Sequence, residues 1–124
     1  MENSIYYRPT QAIVNLDAIR GNIARLQQYL ATGTSVIAVV KADGYGHGEV
    51  EVARAAFEAG VEMVSVATPD EAVQLRKAGI TGDILVMGPS PTAFAKTAAE
   101  LDITIAVSNA EWLQVVLADG IPID

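Results

Sequence analysis

The stretch SVIAVVKADGYGHG, residues 35–48, joins an apolar β run to a single cation and then to three glycines, Gly44, Gly46 and Gly48. A continuous run such as SVIAVV (35–40) is the pattern of a strand covered on both faces, as strands of parallel sheets are. Lys41 stands where that strand ends, and the glycines that follow leave the backbone free to approach a bound group closely. A strand of this kind needs parallel partners, so the rest of the chain decides the architecture.

Upstream, AIVNL (12–16) reads as a strand, followed by a helix that Asp17 can cap, with Ile19, Ile23, Leu26 and Leu30 at helical spacing. Downstream, Val50, Ala53, Ala56 and Phe57 mark one face of a helix that ends at Gly60. EMVSV (62–66) is the next strand, and TPDE (68–71) opens a helix with Thr68 at the cap, Pro69 in the first turn and Glu71 completing a capping box. Gly79 stops it; DILVM (83–87) is another strand, and residues 93–100 form a short helix. ITIAV (103–107) leads to a second capping box, Ser108 with Glu111, before a helix that carries Trp112, Val115 and Val116 and ends at Gly120. IPI (121–123) begins a further strand.

Strand starts therefore recur roughly 20–27 residues apart, and repeated βα alternation argues for a parallel sheet with crossover helices. Two architectures fit: a complete doubly wound sheet, or the first half of a (β/α)8 TIM-type barrel, which needs about 250 residues. The strand that begins just before Asp124 favours the half barrel, with residues 1–124 as one N-terminal unit.

Composition narrows the partners. Acidic residues outnumber basic ones 15 to 8, the net charge is −7, and no Lys/Arg run could track a phosphate backbone, which argues against nucleic acid. The start lacks a signal-peptide pattern and no apolar run is long enough to span a bilayer, so the expectation is a cytoplasmic protein with no membrane partner. Cysteine is absent, which excludes disulfide and thiolate chemistry. One histidine and scattered carboxylates make no metal constellation.

Both architectures bind ligands at the C-terminal ends of their strands, where Lys41 lies. Alternation puts Lys41 on the face of Val39 and Ile37, opposite Val40 and Ala38. Inside a barrel mouth an amine loses solvation, which favours its neutral, nucleophilic form and suits imine chemistry with a carbonyl, including that of pyridoxal phosphate. The plainer readings are a solvated lysine past a strand end, a flexible glycine turn, and His47 as a structural hydrogen-bond partner. Met63 and Met87 read as packing residues; Arg8, Arg54 and Arg76 as surface or packing residues; Asp43, Asp70 and Glu71 as turn and cap residues.

AVVKADGYGHG (38–48) resembles the pyridoxal-phosphate attachment segment of the alanine racemase family, differing chiefly at Asp43 and Gly44. RPTQAIVNLDAIRGNI, VSVATPDEAVQLRKAGITGDILVMG and ITIAVSNAEWL are similar to the family's successive segments, in order, so the likeness covers nearly the whole chain.

The resemblance implies that Lys41 holds pyridoxal 5'-phosphate covalently and serves as the base on the D-alanine side. It further implies that Tyr45 bonds the cofactor phosphate and that Val39 and Leu85 line the pocket. The family's second base is a tyrosine from a C-terminal β domain, supplied by the partner subunit of a homodimer, and Tyr6, Tyr7, Tyr29 and Tyr45 lie in the wrong segments to replace it. The expected function is therefore an alanine racemase, an isomerase making D-alanine for peptidoglycan, represented by an N-terminal segment inactive and prone to self-association when alone. A racemase of serine or other amino acids, a non-catalytic cofactor-binding module and a stand-alone doubly wound regulatory domain are the alternatives.

Overall fold

A computed structural model describes residues 7–122. Four strands, β1 (Ile37–Val39), β2 (Met63–Val66), β3 (Asp83–Val86) and β4 (Thr104–Ile105), pair in parallel in their sequence order. They alternate with helices α1 (Leu16–Gln28), α2 (Lys41–Tyr45), α3 (Glu49–Glu58), α4 (Pro69–Lys77), α5 (Phe94–Glu100) and α6 (Ala110–Ala118). No helix among the described residues is long and apolar enough to cross a membrane.

The order β1-β2-β3-β4 chooses between the two architectures. A doubly wound sheet reverses its strand order and carries helices on both faces, whereas a barrel adds each strand beside the last and keeps its helices outside. Here the register aligns Ala38, Val64 and Ile84, and then Val66, Val86 and Ile105. Val40, Val64, Val66, Ile84 and Val86 of this face are fully buried, in one core with Ala53 and Ala56 of α3, Ala72 and Leu75 of α4 and Ala98 of α5. The opposite face holds Ile37, Val39, Met63, Leu85 and Met87 and is open: Ile37 is 47% exposed and Met87 42%. The run 35–40 is thus covered on one face rather than on both, and Met87, read as a packing residue, stands on the bare side.

Glycine stops are confirmed where the chain leaves its helices: Gly60, Gly79 and Gly120 each follow a helix C-cap with positive φ. The Thr68–Glu71 capping box is formed in full. Other local expectations are corrected. Residues 12–15 are not a strand; no partner strand lies beside them among the described residues, and Ile13 is 81% exposed. Helix α1 begins one residue before Asp17, and its cap is Asn15, whose Oδ1 accepts the Ala18 N–H at 3.0 Å; Asp17 instead pairs with Arg20 at 2.9 Å. Helix α6 is capped by Asn109, not Ser108, through the Trp112 N–H at 2.8 Å. Residues 121 and 122 are irregular, and the rest of the strand expected there, like Tyr6, lies outside the described residues.

Two devices close the strand–helix layers. The Arg76 guanidinium donates to four carbonyls, those of Ile80 (2.8 Å), Gly82 (2.7 Å), Leu101 (2.8 Å) and Asp102 (2.6 Å), tying the turn before β3 to the turn before β4. Gly88, just beyond β3, packs so closely on the end of β2 that a Cβ there would overlap the Ala67 carbonyl oxygen.

Candidate active site

Strand β1 hands over to the site through one last ladder bond, from the Val40 N–H to the Ser65 carbonyl at 2.8 Å. Lys41 follows, half-buried, at the strand's C-terminal end. Its Nζ lies 5.9 Å from the centroid of the Tyr45 ring, within range of a cation–π contact. Tyr45 itself is 60% exposed, so its polar end is available to a ligand.

The segment between these two side chains is a left-handed helical turn. Ala42, Asp43, Gly44 and Tyr45 have φ of 51°, 55°, 61° and 56°. Glycine tolerates this region, but Ala42, Asp43 and Tyr45 each take on about 1–2 kcal/mol of steric cost. The cost is offset by a dense set of bonds: Gly44 N–H to Val40 O at 2.9 Å, Gly48 N–H to Asp43 O at 2.8 Å, and Glu49 N–H to Asp43 Oδ1 at 3.1 Å. Across this turn the Tyr45 ring lies over the Lys41 amine. Gly44 is buried at the centre of the turn. His47 folds back, its Nδ1 lying 3.2 Å from the Gly44 carbonyl oxygen.

Beneath Lys41, the register sets Val39, Ser65, Leu85 and Thr104 in one row across the open face. Val39 is 38% exposed, Leu85 half-buried, and Ser65 fully buried with its hydroxyl donating to Met87 Sδ at 3.4 Å. Val39 and Leu85 therefore belong to one surface, and Lys41 stands just past the C-terminal end of β1 with the Tyr45 ring over its amine. Because that face is open, the apolar enclosure expected around Lys41 is not supplied by the described residues.

The Glu71 carboxylate braces the turn from α4, and the Glu49 carboxylate lies buried nearby. Glu71 Oε1 accepts the Ala42 N–H at 2.8 Å, while Oε2 accepts from Ala67 at 2.8 Å and Thr68 at 3.0 Å. Burial pushes the Glu71 pKa upward, but the N–H groups of Ala42, Thr68 and Ala67, with the Thr68 hydroxyl, outweigh it and hold the carboxyl below its ordinary value. Glu49, at the start of α3, is 5% exposed; burial, reinforced by repulsion from Glu71 and Asp43, raises its pKa. Sequence reasoning read Glu71 as a cap and missed its reach to Ala42, which joins residues far apart in the chain. The burial of Ser65 was signalled only by a small polar residue within an apolar run.

Comparison with known proteins covers this whole arrangement. The family model described as alanine racemase, N-terminal domain, matches residues 14–120. Alanine racemase 1 of Bacillus subtilis is 41% identical over 114 residues, covering 92% of this chain and 29% of that protein. Alanine racemase of Geobacillus stearothermophilus is 47% identical over 109 residues, covering 88% of this chain and 28% of that protein. The structure of alanine racemase from E. faecalis superposes with a TM-score of 0.87 at 38% identity, over 92% of this chain and 31% of that one. That of Bacillus anthracis, with bound L-Ala-P, gives 0.85 at 42% identity over 91% of this chain and 29% of that one. This chain spans 28–31% of the length of these relatives.

Proposed function

Because this chain belongs to the alanine racemase family, its four parallel strands matching the N-terminal part of that family's barrel domain, we propose that it forms the cofactor-anchoring part of a pyridoxal 5'-phosphate-dependent racemase acting on alanine. The observation that carries the reading is the placement of Lys41. A single amine stands at the C-terminal end of β1, the strand that carries Val39, with the Tyr45 ring over it.

These residues fit such a group. Lys41 Nζ is a primary amine of the kind that takes up an aldehyde, and Val39 and Leu85 offer apolar surface to a flat ring. Tyr45 brings a hydroxyl donor for the phosphate. When bound, the cofactor supplies an electron sink for the pair left as the substrate α-proton departs. In that site Lys41 Nζ would take or return the substrate α-proton on the D-alanine face. The left-handed turn keeps Tyr45 and Lys41 in fixed relation, so phosphate and proton carrier are positioned together.

Inversion needs a proton carrier on the opposite face. We assign it, and the remaining strands of the barrel, to regions beyond this chain in a longer homodimeric protein that works in the cytoplasm and supplies D-alanine to peptidoglycan. The L-Ala-P bound to the Bacillus anthracis relative supports alanine as substrate. Borohydride trapping of pyridoxal phosphate, followed by peptide mapping of the protein and its Lys41→Ala variant, tests the assignment. Label on Lys41 that disappears in the variant is the expected result; label spread over Lys77 and Lys96, equal in both proteins, refutes it.

A further inference from the structure

We infer that Glu71 is a positioning residue for Lys41: its carboxylate grips the peptide immediately after the lysine and holds the left-handed turn against the start of α4. The inference rests on Lys41 being the anchor. The amide hydrogen of Ala42 belongs to the Lys41–Ala42 peptide, and it donates to Glu71 Oε1 at 2.8 Å. Oε2 of the same carboxylate accepts from Ala67 and Thr68, the residues that lead from β2 into α4. One side chain therefore bridges the ends of two adjacent strands.

The geometry goes beyond what a cap requires. A capping box needs the glutamate to reach only the N-cap backbone, which Oε2 does at Thr68. The bond from Ala42 is additional and spans 29 residues of sequence. It falls at the first residue of the turn with positive φ, where a non-glycine residue must be held against its local preference. Without it, Ala42 loses a charge-assisted bond and the turn that carries Lys41 loses its tie to the start of α4. Glu49 feels the negative charge of both Glu71 and Asp43.

The test compares Glu71→Ala and Glu71→Gln with Thr68→Ala, which weakens the α4 cap but leaves the Ala42 bond. It uses the full-length protein, with a urea midpoint for each variant so that global stability is accounted for. Amide hydrogen exchange over residues 40–48 and borohydride trapping of pyridoxal phosphate on Lys41 are the two readouts. Glu71→Ala is expected to lose protection of the turn and to slow trapping, each by roughly ten-fold or more, with Glu71→Gln intermediate and Thr68→Ala close to wild type. Wild-type exchange and trapping in Glu71→Ala, or equal losses in Thr68→Ala, overturn the positioning role alone. Absence of specific label on wild-type Lys41 overturns the anchor reading itself, and with it any role for Glu71 in placing that anchor.

Discussion

Replacing Arg76 by alanine removes the donors to four carbonyls at once. Three of them, on Ile80, Gly82 and Leu101, are engaged in part-buried bonds, and the fourth, on Asp102, in an exposed one. Water rehydrates the exposed carbonyl at little cost. Each part-buried carbonyl left without a donor costs about 1 kcal/mol, so the loss should be about 3 kcal/mol. Against the 5–15 kcal/mol typical of a folded domain, that is a large share. Lysine restores the charge but not the planar fork, so it cannot span carbonyls from two turns, and Arg76→Lys should recover less than half of the loss. Urea denaturation of the full-length protein and both variants, at unchanged slope, measures this directly. A shift below about 1 kcal/mol in Arg76→Ala, or wild-type stability in Arg76→Lys, would show that the guanidinium merely decorates turns held by other contacts.

Gly88→Ala places a methyl group against the Ala67 carbonyl and should cost about 1–3 kcal/mol or more, read as a lowered urea midpoint; a wild-type midpoint would mean the strand ends yield freely. Glu49 has a raised folded-state pKa, so its contribution to stability is full below the unfolded carboxylate pKa and is lost as pH rises through the folded value. Glu49→Gln should therefore be at least as stable as wild type at pH 7, with the difference shrinking on acidification; greater stability of wild type at neutral pH contradicts the sign. Glu71 is the reverse case: its lowered pKa contributes stability above the unfolded value that is lost as pH falls through the folded one, so removing Glu71 should flatten the acid limb of the stability profile.

The parts of this fold legible in the sequence are those decided within a few residues. Gly60, Gly79 and Gly120 mark helix ends because a left-handed residue there is a local requirement, and the Thr68–Glu71 spacing writes out its own cap. The closeness of Lys41 and Tyr45 could be read from their spacing within one short loop. What escaped depends on distant partners. The residues of AIVNL have strand character, yet a strand exists only beside another strand. Asn15 and Asp17 are both able caps, and it is Asn15 that takes the Ala18 N–H while Asp17 turns to Arg20. Arg76 looks like any helix-surface arginine until the turns before β3 and β4 arrive beside it. The left-handed turn runs against the preferences of Ala42, Asp43 and Tyr45, so no local rule could have proposed it.

The one-sided burial of the sheet divides labour by arithmetic. Along β1 to β3, positions 38, 40, 64, 66, 84 and 86 face the helices, while 37, 39, 63, 65, 83, 85 and 87 face the open side. Even-numbered positions answer to the fold and odd-numbered ones to whatever occupies the mouth. The pairing of Val86 with Ile105 exchanges the two classes in β4. A lineage could rewrite its odd-numbered strand residues for a new ligand without reopening the core, and a one-residue slip of any strand would trade its entire inheritance of one kind for the other.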